Sequence, residues 1–220
     1  MKARVGFVAA AVCVGAALVT WQIDPGTPAH AGEVPIAIAA TAVLPATGEA
    51  AYVGSSKCKI CHLAQYKSWK KTNMANALTT LKPGERVEAK KKHGLDPEKD
   101  YTTDANCLAC HTTGYGHEGG YVIPDPDDKK AVKHAKKLAG VGCESCHGPG
   151  SGYKEHHGEI MKSKRTYKLA EMLAAGLIVP NADNCTTCHN EKSPTFEDFD
   201  FEKRKEEGVH EHKELKQREG

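Results

Sequence analysis

Four stretches of this chain set two thiols and an imidazole at one fixed spacing. They are Cys58-Lys-Ile-Cys61-His62, Cys107-Leu-Ala-Cys110-His111, Cys143-Glu-Ser-Cys146-His147 and Cys185-Thr-Thr-Cys188-His189. Cys-x-x-Cys-His is the attachment pattern of a c-type haem. The two thiols reach the two vinyl groups on one edge of a porphyrin, and the adjacent histidine turns its imidazole onto the iron from one face. The same Cys spacing also suits two four-thiolate zinc sites or redox-active or structural disulfides. Neither alternative needs a histidine directly after every second cysteine, so four repeats of it argue for haem. Eight of the nine cysteines are consumed in this way. The cofactor expectation is four covalently bound haem c groups. Cys58, Cys61, Cys107, Cys110, Cys143, Cys146, Cys185 and Cys188 attach them, and His62, His111, His147 and His189 are proximal ligands.

The elements that must carry these groups come from a chain with little to build a core from. Its 220 residues are 40% hydrophobic and only 6% aromatic, and mean hydropathy is −0.52. Four large apolar porphyrins change that balance and become the core. The expected fold is mainly α with extensive coil, a compact multihaem cytochrome c wrapped around four covalently attached haems. The haem-free chain should not fold, because ligand binding and folding are coupled. Leu63, Tyr66, Trp69, Ala77 and Leu81 recur at three- and four-residue steps, which predicts a helix over 63–81 ended by Pro83-Gly84. Further helices are predicted over 127–138, 165–175 and 199–215, the last interrupted by Gly208. No alternating strand pattern of useful length is present. The four motifs differ in spacing and context, so they repeat a chemistry and not a fold.

The N-terminus reads as a secretory signal peptide over residues 1–31. Lys2 and Arg4 precede an apolar run from Val5 to about Val19, and Ala29-His30-Ala31 offers a small-residue cleavage site. Cys13 belongs to this segment. Residues 32–53, rich in Ala, Pro and Thr, read as a flexible linker, leaving 54–220 as the tetrahaem domain. Export implies a periplasmic protein, with membrane association only if the leader is uncleaved. The formal charge is +2, which gives no argument for nucleic acid. The lysine clusters at Lys90–Lys92 and Lys129–Lys137 read as solvated faces, able also to steer an acidic redox partner.

The face of each iron opposite the motif histidine decides function. A second strong ligand makes an electron carrier, and an open position makes a catalyst possible. His134 and His93 sit among lysines and read as surface residues, and His117 follows the second motif in a glycine-rich loop. The two close pairs His156-His157 and His210-Glu-His212 can each turn one imidazole inward, and the residues alone do not choose between their members.

Several segments outside the haem motifs carry a resemblance. They are Ser68-Trp69-Lys70 with Thr72, Leu95-Asp-Pro-Glu-Lys-Asp-Tyr101, the Gly-Tyr-Gly…Gly-Gly-Tyr121 run, Gly140-Val-Gly-Cys-Glu-Ser-Cys-His-Gly-Pro-Gly150, and His210-Glu-His212. From about Ser55 to His212 the chain resembles the tetrahaem cytochrome c-554 family of ammonia-oxidising bacteria. The resemblance implies loops and helices around closely packed haems. It implies an electron carrier taking electrons from a hydroxylamine-oxidising multihaem enzyme and passing them to a cytochrome or a membrane quinone-linked acceptor. It places distal ligands on His157 and His210 and leaves the haem of His111 five-coordinate. This chain departs from the family twice. The third distal histidine falls on Met74, a soft side chain that can serve as ligand or as packing. The segment between His189 and the last helix is also shorter. Two other functions stay open at this point. One is reduction of a small nitrogen or sulfur oxide at the His111 haem, and the other is a subunit of an extracellular cytochrome filament.

Overall fold

The computed structural model describes residues 50–207, 209–215 and 217–219. The expected signal peptide, and the expected linker up to residue 49, lie outside the described residues. Among the described residues ten short α-helices follow one another with one 3₁₀ segment and two two-residue strands. They are α1 (Ser55–Cys58), α2 (Leu63–Trp69), the 3₁₀ segment Met74–Leu81, α3 (Val87–Lys92), α4 (Ala105–His111), α5 (Lys129–Leu138), α6 (Cys143–His147), α7 (Ser151–Ser163), β1 (Tyr167–Lys168), α8 (Leu169–Ala174), α9 (Ala182–Thr186), α10 (Phe201–Glu207) and β2 (Arg218–Glu219). Among the described residues no helix is long and apolar enough to cross a membrane.

Side-chain hydrogen bonds decide where some of these helices begin. Asp128 accepts from the amides of Lys130 and Ala131 at the start of α5, and Asp104 accepts from Asn106 at the start of α4, satisfying donors that a helix N-terminus leaves bare. The helix predicted over 63–81 is instead broken at 70–73. Thr72 is the cause, because its hydroxyl donates to the Trp69 carbonyl at 2.7 Å and accepts from the Ala75 amide at 3.3 Å. Such local bonds compete with the α-helical ladder, and the chain resumes as the tighter 3₁₀ turn. The helix predicted over 199–215 ends at Glu207, before Gly208. The one predicted over 165–175 starts extended, as β1, and turns helical only at Leu169. The longest helix, α7, was not predicted. Gly152, Gly158 and two adjacent histidines obscure its pattern, and Ile160 is its one fully buried side chain. Gly152 is required by packing, since a Cβ there would lie 2.7 Å from the Ala175 carbonyl oxygen.

The protein core is two small apolar clusters rather than one. Leu81, Tyr101, Leu108, Tyr121, Ala135 and Leu138 form the first, around the second motif. Ile160, Tyr167 and Met172 form the second, where α7 meets β1 and α8. Leu108, an x residue of Cys-x-x-Cys, is 0% exposed, so the motif itself is part of the packing. Lys90 departs from the solvated-face reading, being only 5% exposed. Its ammonium donates to the Lys82 carbonyl and sits over the Tyr101 ring, so the charge is satisfied where the 3₁₀ segment ends.

The turn into the third motif is the most constrained backbone in the chain. Gly140 has φ +82°, and a Cβ there would meet the Ala75 carbonyl oxygen at 2.4 Å. Both the left-handed conformation and the close approach require glycine. Gly140→Ala is therefore expected to cost about 2–3 kcal/mol. That corresponds to a fall in Tm of the holoprotein of about 5–10 °C, measurable by thermal unfolding followed at the haem absorbance.

Candidate functional site

Motif three is held by bonds that its neighbours in sequence could not supply. Val141 donates its amide to the Met74 carbonyl at 2.9 Å, and its own carbonyl accepts the Trp69 indole N–H at 2.9 Å. The Thr113 hydroxyl donates to the Gly140 carbonyl at 2.8 Å and accepts the Gly142 amide at 2.9 Å. The Cys143 amide donates to the Ser55 hydroxyl at 3.1 Å. The lead-in to motif three is thus clamped between α1, α2 and the loop after motif two.

Glu144, the first x residue of motif three, is 2% exposed. Its carboxylate accepts from the amides of Val53 (2.8 Å), Gly54 (2.7 Å) and Gly150 (2.7 Å). Three charge-assisted bonds compensate the burial of its charge. They fasten the approach to α1, and hence motif one, onto motif three. The described end of the expected linker segment is tied down as well, with Ala51 and Ser151 exchanging hydrogen bonds at 2.8 and 3.1 Å.

The imidazoles fall into facing pairs. The rings of His62 and His157 lie 5.6 Å apart, centre to centre, with planes at 15°, and those of His147 and His210 lie 6.3 Å apart at 30°. Of the first close pair, His157 is the member that turns to a motif. His156 turns instead toward Glu171, at 3.7 Å, whose carboxyl is held down at about 2 by the Arg165 guanidinium. Of the second pair, His210 faces the motif and His212 lies 5.0 Å behind it. Two motif histidines have the ring nitrogen Nδ1 on a backbone carbonyl. That of His111 meets Ala77 at 2.8 Å, with the Thr80 hydroxyl at 3.2 Å, and that of His147 meets Ile178 at 3.2 Å. A donor bond of this kind fixes the tautomer and leaves Nε2 to bind a metal. Among the described residues no histidine ring lies against His111 or His189. The Phe199 ring stacks on His189 at 4.4 Å. Met74 opens the 3₁₀ segment, half-buried. His134, read as a surface residue, is half-buried, with Nε2 3.0 Å from the Gly120 carbonyl oxygen.

Thiols of different motifs lie close to one another. Cys58 meets Cys143, Cys110 meets Cys188, and Cys146 lies within electrostatic reach of Cys185 and Cys188. Burial pushes the Cys146 thiol up to about 11 and is the main cause of the rise at Cys110, also to about 11. All eight are free of disulfides. Among the described residues no three His, Cys, Asp or Glu side chains gather to hold a bare metal ion.

These residues fit haem c. Two imidazoles bound to one metal at about 2.0–2.1 Å each place their ring centres about 6 Å apart, the spacing of both pairs. Burial pushes His62, His147, His157 and His189 below the ordinary imidazole range, which favours the neutral form that binds a metal. Sequence reasoning missed Glu144, Thr113, Ser55 and Phe199 as parts of the site. Only Glu144 carried a signal, a carboxylate placed between two attachment cysteines.

The family described as "Cytochrome c554 and c-prime" matches residues 57–148. The chain is 40% identical over 145 residues to cytochrome c-554 of Nitrosomonas europaea, a match covering 64% of this chain and 58% of that protein. It therefore spans less than two thirds of that relative's length. It is also similar to the solved structure of reduced cytochrome c554 from Nitrosomonas europaea. The TM-score there is 0.67 at 36% identity, with 79% of this chain and 91% of the other covered. A mainly helical chain with coil, four Cys-x-x-Cys-His motifs and haem c as its covalent cofactor, it belongs to the cytochrome c554 family.

Proposed function

We propose that the protein is a periplasmic electron carrier passing single electrons between redox proteins. Its donor in this reading is a hydroxylamine-oxidising multihaem enzyme, and its acceptor a cytochrome or a membrane quinone-linked protein. The observation that carries the reading is the facing imidazoles His62/His157 and His147/His210. Two strong ligands close an iron to substrate and leave electron transfer as its work.

When bound, haem supplies the one-electron chemistry. The chain's own residues supply attachment, ligation and spacing. Cys58 and Cys61, Cys107 and Cys110, Cys143 and Cys146, and Cys185 and Cys188 anchor the four groups. His62, His111, His147 and His189 are the proximal ligands. His157 is the second ligand opposite His62, and His210 the second ligand opposite His147. Met74 would supply a thioether as the third distal ligand, and such a ligand sets a higher potential than a second imidazole would. Thiols of motifs one and three, of motifs three and four, and of motifs four and two lie near one another, which supports transfer between neighbouring sites. The leader sequence supports export, since c-type haems are attached outside the cytoplasmic membrane.

One observation favours a second activity at motif two. The His111 ring has no facing imidazole among the described residues, so that site supports binding of a small ligand such as nitric oxide. The test is an anaerobic reductive titration of the holoprotein. The carrier reading expects four electrons taken up per chain and returned to an added c-type cytochrome, with no substrate consumed. Sustained consumption of nitric oxide under the same conditions would favour the enzyme instead.

A further inference from the structure

Two adjacent residues of α2 point at opposite sides of the motif-three site. Ser68 accepts the Glu211 amide on its hydroxyl at 2.7 Å, one residue past His210. The same hydroxyl donates back into α2, to the carbonyls of Gln65 (3.0 Å) and Ala64 (3.2 Å). Trp69, next in sequence, donates its indole N–H to the Val141 carbonyl at 2.9 Å, two residues before α6 and His147. The His147 and His210 rings face each other at 6.3 Å. Those four observations close a loop: His147, the Val141 turn, α2, and the C-terminal segment back to His210.

We propose that α2 is the positioning frame of the motif-three haem site, with Ser68 setting the place of His210 and Trp69 that of His147. The proposal rests on the reading of His147 and His210 as a ligand pair. Ser68 and Trp69 act through the segments that carry His210 and His147, so both are positioning residues. The physical need is clear from the segment that carries His210. Helix α10 ends at Glu207, and residues 211–215 have no regular structure. His210 itself has its Nδ1 2.9 Å from the carbonyl of its own neighbour Glu211, a bond that orients the ring but anchors nothing to the body of the protein. The Glu211–Lys213 ion pair is equally local and exposed. Among the described residues the next anchor comes at 217–219, where the Gln217 carbonyl accepts the Tyr167 amide at 2.9 Å and β2 pairs in parallel with β1. Without Ser68 the segment would span from α10 to β2 with its ligand histidine unsupported.

The frame also links two sites. His62 is the residue directly before α2, so the proximal ligand of motif one adjoins the seven-residue helix that carries both supports of motif three. The Tyr167 ring beside β2 stands edge-on to His157 at 5.7 Å, which puts the far anchor of the segment against the distal histidine of motif one.

The test compares Ser68→Ala, Ser68→Thr, Trp69→Phe and His210→Ala as holoproteins with four haems each by haemochrome assay. Two measurements are made: hydrogen exchange of peptides covering 209–215, and electron paramagnetic resonance of the ferric state. Ser68→Ala should speed exchange of that segment about five- to tenfold, the effect of one lost hydrogen bond. It should also broaden one low-spin signal, and Ser68→Thr should restore both. Trp69→Phe should disturb the same low-spin signal, and His210→Ala should remove that signal. Unchanged exchange or an unchanged low-spin signal in Ser68→Ala, with His210→Ala still removing one, overturns the frame and leaves the ligand pair standing. A full set of low-spin signals in His210→Ala overturns the ligand pair, and the frame with it.

Discussion

Replacing Glu144 by alanine is expected to cost on the order of 3–5 kcal/mol, the largest single-residue effect on stability away from the haem ligands. The carboxylate is buried and takes amide bonds from Val53, Gly54 and Gly150. Truncation removes the acceptor and leaves three amides to be satisfied by water or not at all, each at roughly 1–3 kcal/mol. Against a typical stability of about 5–15 kcal/mol, much of the folded population is lost. Folding is coupled to haem attachment, so the loss should appear as a low yield of four-haem chains. Glu144→Gln keeps the shape and one carbonyl acceptor but turns a donor toward an amide, and an intermediate loss is expected. The measurement is the ratio of haem to protein in each variant, with thermal unfolding of whatever accumulates. A Glu144→Ala protein with four haems and an unchanged Tm would show that the three bonds are dispensable.

His157→Ala is expected to have the largest electronic effect. It removes the ring that faces His62 at 5.6 Å and changes one low-spin haem to high-spin. The potential of that haem should shift on the order of 0.1 V, a fraction of the ~0.8 V that axial ligands span. Its neighbour is the control. His156 turns to Glu171 rather than to a motif, so His156→Ala should leave the count of low-spin haems unchanged. Potentiometric titration with spectral detection separates the two variants. Should His156→Ala cause the change and His157→Ala not, the assignment of the pair is reversed.

The chemistry was legible in the sequence because it is carried by residue type and fixed spacing, which survive any fold. Four Cys-x-x-Cys-His stretches needed no structure to be read. Secondary structure was legible only in part, because in this chain side-chain bonds overrule periodicity. Thr72 breaks the helix predicted over 63–81 by capturing the Trp69 carbonyl, and no hydrophobic pattern records such a capture. Helix α7 was hidden for the opposite reason. Its spacing is set by contacts, with Gly152 pressed against the Ala175 carbonyl, and not by an apolar stripe. The pairs His156-His157 and His210-His212 were unresolved by the residues alone, since choosing between neighbours requires knowing which way a backbone turns. The turn before motif three reads in sequence as Gly-Val-Gly. Its reason lies in Ala75, Ser55 and Thr113, which are distant along the chain.

The most direct measurement is the electron paramagnetic resonance spectrum of the oxidised holoprotein, integrated against its haem content. The facing imidazoles predict at least two low-spin haems per chain with the signals of paired histidine ligands. A high-spin component is expected from the site of His111. A spectrum with fewer than two low-spin haems would contradict the pairing of His62 with His157 and of His147 with His210, and with it the reading of the chain as an electron carrier.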